Sequence, residues 1–235
     1  AKEYDPQDAI SLAIDKLTYE NNVIVTFAAG NSGAENHDGH TIETNPYSTT
    51  PGSISVAALE HDGQGLAYFS SRGDATLNGT WPDIAAPGVA IWSAEARRTY
   101  ITAMKAQDDR DLYYMAISGT SMATPHVAGA IALLVQAAPS LGISHVRDHY
   151  NGDSTDWWER PNTLMTEAEL ILKLTANYIP PSPEPEDDLD SVGRNGVPYN
   201  HSLDVRGLPY DYAQGYGRID MYLSLIHISE PTRPY

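Results

Sequence analysis

The chain contains no cysteine. Disulfide scaffolds, Cys-ligated zinc and thiol catalysis are therefore excluded, while the redox compartment stays open. Bases are scarce: 14 Lys and Arg stand against 31 Asp and Glu, a net charge of −17. The only lysines are Lys2, Lys16, Lys105 and Lys173. Charged residues make up 19%, below the ~25% of average domains, so missing bases rather than added acids set the balance. Such a surface repels phosphate backbones and anionic lipid, which disfavours nucleic acid as a partner. It accommodates counterions or calcium. The longest apolar run is about nine residues, Val127 to Val135, well short of the ~18 needed to span a membrane. The opening residues do not read as a signal peptide, and we expect the chain to begin in mid-domain.

What is present suffices for a core. The chain has 235 residues, 41% of them apolar, enough for one domain or one and a half at ~150 residues each. Residues 5–21 read as a helix, with Asp5 as cap, Pro6 at the first position, and Ile10, Ala13, Ile14 and Leu17 on one face. Val23 to Ala29 is a continuous apolar run, as expected of a strand buried on both sides of a parallel sheet. Ile54 to Leu59, Ile84 to Ala86 and Tyr113 to Ile117 read as further strands. Ser121 to Ala138 is apolar almost all round, which predicts a central, buried helix. Thr166-Glu167-Ala168-Glu169 opens another helix, through about Tyr178. Buried strands joined by helices predict an α/β domain, a doubly wound parallel sheet with helices on both faces.

Residues 1–223 are read as one domain with two insertions, about 95–112 and 142–163. An acidic, proline-rich loop follows at 180–190, where four prolines and five acids could serve no packed core. Ser224 to Tyr235 (SLIHISEPTRPY) breaks the preceding pattern and reads as translated sequencing-adaptor sequence, so it is set apart. Ile219, Met221 and Tyr222 would then open a helix whose true remainder lies elsewhere.

Two segments carry candidate chemistry. Ser121 lies where a strand and glycine turn feed a helix, in Gly119-Thr120-Ser121-Met122-Ala123-Thr124-Pro125-His126. A serine there meets unpaired N–H groups and the positive end of the helix dipole, features that stabilise a nascent oxyanion. A plain helix cap would look the same. Asn31 ends a buried strand in Ala28-Ala29-Gly30-Asn31-Ser32-Gly33, at the sheet edge where such folds bind ligands. An ordinary Gly-Asn turn would look the same.

Together the segments resemble the subtilisin-like serine proteases, whose oxyanion asparagine ends an AAGN-type strand and whose nucleophile sits in a GTSMA[ST]PH-type turn. Supporting stretches are Pro51-Gly52, Phe69-Ser70-Ser71-Arg72-Gly73, Asp83-Ile84-Ala85-Ala86-Pro87-Gly88 and Gly215-Tyr216-Gly217-Arg218-Ile219-Asp220. The resemblance implies peptide-bond hydrolysis through an acyl-enzyme, with Ser121 as nucleophile and Asn31 as oxyanion donor. Ala28, Ala29 and Gly30 would wall the pocket for the residue before the cleaved bond. It also implies polypeptide substrates, a monomer, a secreted extracellular protein, and no cofactor for the chemistry. Structural calcium is compatible with the acidic loops, but no ordered ligand spacing is visible and no metal ligand is assigned.

The family's order is Asp, His, then Ser, yet the 30 residues before Asn31 hold no histidine. The triad Asp and His are therefore expected upstream of Ala1, and the chain by itself is expected to be inactive. His126 lies five residues past Ser121, about 140° around the helix, and is expected to face away as a packed, hydrogen-bonded residue. Asp62 reads as a turn residue. Two alternatives stand beside this reading. One is a catalytically dead subtilase-like binding module. The other is an α/β-hydrolase esterase drawing on Asp148, His149, Asp204 and His201 after a nucleophile elbow.

Overall fold

The computed structural model describes residues 5–33, 42–74, 82–96, 114–142, 145–147, 164–179, 202–203 and 208–229. Helix α1 (Ala9–Asn21) is followed by three parallel strands, β1 (Val25–Ala28), β2 (Ser53–Leu59) and β3 (Ile84–Pro87), hydrogen-bonded in that order. Val25 pairs with Ser53, and Val56 with Ile84. β2 is buried at every position because its alternate side chains enter two cores. Ile54, Val56 and Ala58 join Ile84, Ala86 and one face of helix α2 (Thr120–Ala137). Ala57 and Leu59 join Leu66, Ala85, Tyr212 and Ala213 on the other side. The fold is α/β, with helices packed on a parallel sheet, as the sequence predicts.

Several elements depart from expectation. α1 is capped by Asp8, not Asp5: the Asp8 carboxylate accepts from the N–H groups of Ile10 and Ser11. Asp5 closes its own turn by accepting from Gln7 N. The inward face of α1 is Ser11, Ile14 and Thr18, while Ile10 and Leu17 are exposed. Hydrogen bonds set that face, since the Thr18 hydroxyl donates to Gly52 O (2.6 Å) and the Asp15 carboxylate accepts from Gly52 N (2.8 Å). β1 is only half-buried and borders the described sheet, so it is not a strand covered on both sides.

The segment read as a fourth strand, β5 (Tyr114–Ile117), instead forms an antiparallel hairpin with β4 (Ile91–Ala94), Ile91 opposite Ile117. An antiparallel pair tolerates one solvated face, and Trp92 is 64% exposed. Helix α2 is covered on one side only. Ala123, Val127, Ala130, Ile131 and Leu134 are buried, but Pro125, His126, Ala128, Ala132 and Leu133 are exposed.

His145–Arg147 (β6) pairs with Leu164–Thr166 (β7), so a strand lies near the start of the expected insertion at 142–163. Helix α3 (Glu167–Thr175) is capped by the Thr166 hydroxyl, which accepts from Glu169 N. It stops short of Tyr178 because Ala176 turns extended and Asn177 pairs with Arg218. Lys173 on α3 is buried between the carboxylates of Glu169 and Asp83, each 2.8 Å from Nζ. Asp83 in turn accepts from Ser55 N (2.7 Å), tying α3 to β2. Residues 215–219 close the outer edge of β3: Ala85 N donates to Gly217 O (2.8 Å), and Ile219 N to Ala85 O (3.0 Å). Helix α4 (Met221–Ser229) continues into the stretch set apart in the sequence. Its Ser224 is buried and bonded to Thr175 Oγ1 at 2.6 Å. The expected insertion at 95–112 and the acidic loop at 180–190 lie almost wholly outside the described residues.

Candidate active site

β1 delivers Ala28, Ala29 and Gly30 to the point where Asn31 leaves the sheet. Ala29 is fully buried and continues the ladder by donating from its N–H to Val56 O. Gly30 has φ +119°, where a side chain is strained, and a Cβ there would lie 2.7 Å from Ser71 Oγ. Asn31 is at the surface.

From the other direction, β5 and Gly119 deliver the start of α2. Gly119 offers no side-chain cap. Met122 N donates to Gly119 O (2.9 Å), while the Thr120 and Ser121 N–H groups before it have no intrahelical acceptor. The Thr120 N–H donates to Asn31 Oδ1 at 2.9 Å, and the Thr120 hydroxyl donates to the same atom at 3.0 Å. Two donors aimed at one atom identify it as the amide oxygen. The amide lies beside Gly119: a Cβ built there would sit 3.5 Å from Asn31 Nδ2 and 3.7 Å from Oδ1. Thr120 Oγ1 also accepts from Gly30 N (3.2 Å), so one hydroxyl bridges the two loops. Ser121 follows at the surface, on the first turn of α2, with its N–H among the orphan donors. The start of α2 and the end of β1 thus meet at one sheet edge, Thr120 bonded to Asn31 across 89 residues.

Beside Ser121 lies a cavity of about 460 Å³, lined by Ile91 to Ala94, Met115, Ile117, Met122, Pro125 and His126. His126 faces this space, exposed, with Nδ1 at 2.8 Å from Met122 O. It is hydrogen-bonded as expected but not packed. Asp62 is a turn residue, its carboxylate accepting from Gln64 N. Asp148, His149, His201 and Asp204, which the esterase alternative requires, lie outside the described residues. Among the described residues, no three His, Cys, Asp or Glu are grouped to hold a metal, and no helix is long and apolar enough to cross a membrane.

The sequence reading missed Thr120 and Ser71 as parts of this site. Both stand inside the motifs it quoted, but nothing in one sequence tells which hydroxyl in a motif reaches across the fold.

Away from the site, Asp211 is buried. It accepts from Ala213 N, Gln214 N, Gln214 Nε2 and Tyr178 OH. Burial pushes its carboxyl above the ordinary 3.8, against the opposing pull of those hydrogen bonds.

A parallel α/β sheet thus carries a serine at a helix N-terminus and an asparagine at the end of a strand. Comparison with known proteins places it more closely: residues 2–168 match the Subtilase family, and the chain belongs to that family. It is 34% identical to serine protease AprX of Bacillus subtilis (strain 168) over 168 residues, covering 68% of this chain and 36% of that protein. It is 33% identical to subtilisin DY of Bacillus licheniformis, covering 63% of this chain and 45% of that protein. Among solved structures it is similar to the prenylagaramide maturation protease PagA, with a TM-score of 0.55 and 21% identity, over 97% of this chain and 58% of that one. The chain thus spans between 36% and 58% of the length of these relatives.

Proposed function

We propose that this chain is the nucleophile-bearing part of a serine endopeptidase. The observation that carries the reading is the clamped Asn31 amide beside the start of α2. Ser121 Oγ attacks the scissile carbonyl, and the carbonyl oxygen takes the developing negative charge. Asn31 Nδ2–H and the Ser121 N–H donate to it, which is preorganised electrostatic stabilisation. Collapse of the tetrahedral intermediate expels the amine and leaves an acyl-Ser121 ester, which water then hydrolyses. Ala28 and Gly30, small and partly exposed, leave room for the residue before the cleaved bond, while Ala29 is fully buried.

The proton from Ser121 needs a base, and the base needs an orienting carboxylate. His126 is turned to the Met122 carbonyl. In this reading the Asp and His come from sequence upstream of Ala1, and their segment covers the open face of α2 and the cavity beside it. The 235-residue chain alone then has no useful activity. Substrates are polypeptides, the protein acts as a secreted monomer, and the acidic surface rejects nucleic acid while leaving room for structural calcium in loops.

The test is to express the full-length protein and incubate it with an unstructured protein, with and without Ser121→Ala. We expect cleavage that the substitution abolishes. Cleavage surviving Ser121→Ala sinks the nucleophile assignment. Ser121-dependent cleavage by the 235-residue chain at ordinary protease rates sinks the upstream triad. Asn31→Ala should lower kcat by ~10²–10³, the effect known for the corresponding asparagine of a subtilisin.

A further inference from the structure

The geometry points to Ser71 as a positioning residue for the Asn31 amide, an inference that rests on reading Asn31 as the oxyanion donor. Ser71 is fully buried and touches the loop on both sides of Asn31. Its N–H donates to Gly30 O at 2.9 Å, and its Oγ accepts from Ser32 N at 2.9 Å. One residue thus pins the peptide units before and after the asparagine. The neighbouring Phe69 O accepts from Gly33 N at 2.9 Å, so the brace continues along the same segment.

The fit is close. A Cβ on Gly30 would sit 2.7 Å from Ser71 Oγ, and one on Gly33 would overlap the Ser70 carbonyl. Bare backbone at 30 and 33 is therefore what lets the 69–71 segment lie against the loop. With the main chain fixed at 30, 32 and 33, the Asn31 side chain keeps two torsions, and Thr120 fixes its oxygen. Ser71 sets where the amide starts, and Thr120 sets where it points. This gives the Phe69-Ser70-Ser71-Arg72-Gly73 stretch a task at the site, although it contributes no group to the substrate.

Ser71→Ala removes one acceptor and leaves the N–H to Gly30 O intact. Ser32 is at the surface, so its N–H can turn to water and the fold loses little. What is lost is the alignment of Asn31, and a displacement on the order of 1 Å in a catalytic group costs up to ~10²-fold. In the full-length protein we expect Ser71→Ala to lower kcat about tenfold to a hundredfold with KM nearly unchanged. In an Asn31→Ala background the same substitution should change kcat less than about twofold, because its route of action is gone. An unchanged kcat in Ser71→Ala overturns the inference. So does an equal loss in both backgrounds, which would mark a general packing role.

A second readout needs no turnover. Order of the ¹⁵N-labelled Asn31 side-chain amide should fall in Ser71→Ala, and unchanged order overturns the inference whatever the activity. If the wild-type protein cleaves nothing, the protease reading fails on its own, and the amide order still decides the role of Ser71.

Discussion

Helix α2 has two faces of similar chemistry and opposite surroundings. On one, Val127, Ala130, Ile131 and Leu134 are packed against the sheet, α3 and α4. On the other, Ala128, Ala132 and Leu133 meet solvent, Leu133 at 50% exposure, and the apolar cavity beside Ser121 lies at the head of this side. The covered side also has its polar groups in pairs, as in Lys173 with Asp83 and Glu169, and Thr175 with Ser224. The contrast teaches that apolar content marks a helix meant to be enclosed, while only the neighbours supplied decide which face is. In our reading the open face is where the remainder of the catalytic domain packs.

The covered side is most sensitive to substitution at its buried cation. Lys173→Ala leaves Asp83 and Glu169 with no counter-charge between them, and should cost about 3 kcal/mol of stability, near the lower end for a buried pair because Asp83 retains partial exposure. Urea unfolding would measure it. Next, Leu134→Ala on the covered face should cost about 2–5 kcal/mol. On the open face, Leu133→Ala should change stability by less than about 0.5 kcal/mol in the 235-residue chain. In the full-length protein the same change should cost more. Equal effects at 133 in both chains would mean nothing covers that face.

Between the covered-face and open-face effects in size is the one expected at Asp211. Its folded pKa is raised above the unfolded one, so the folded state binds the proton more tightly. Stability from this group is present below about 3.8 and declines as pH rises through the raised value. Asp211→Asn should remove that slope, at a cost of about 1–3 kcal/mol because one oxygen must serve donors now shared by two. Thermal melts of both proteins across pH would show it.

Much of this was legible beforehand. β2 reads from its continuous apolar run because it feeds two cores, α2 reads from its apolar composition, and α3 from its Thr166 opening. Asn31 at a strand end and Ser121 at a helix start read as candidates from their motifs, and the two segments are joined through Thr120. What was hidden is long-range pairing. The Thr18 hydroxyl fixes the inward face of α1 through Gly52, 34 residues away, so the apolar spacing of Ile10 and Leu17 misleads. Ile91–Ala94 goes unseen as a strand because it is short, with Trp92 outward, and its partner follows an insertion. Thr120 and Ser71 reach Asn31 and its flanks across 89 and 39 residues, distances over which no local pattern speaks.

The outer edge of β3 has a consequence for biosynthesis. Ala85 pairs with Arg218, more than 130 residues later in the chain. At ~5–20 residues per second, a ribosome needs roughly seven to twenty-seven seconds to supply that closing segment. Until then the nascent sheet shows a bare strand edge, and such edges recruit other strands. Charge repulsion from a net −17 polypeptide would keep neighbouring nascent chains apart during that interval.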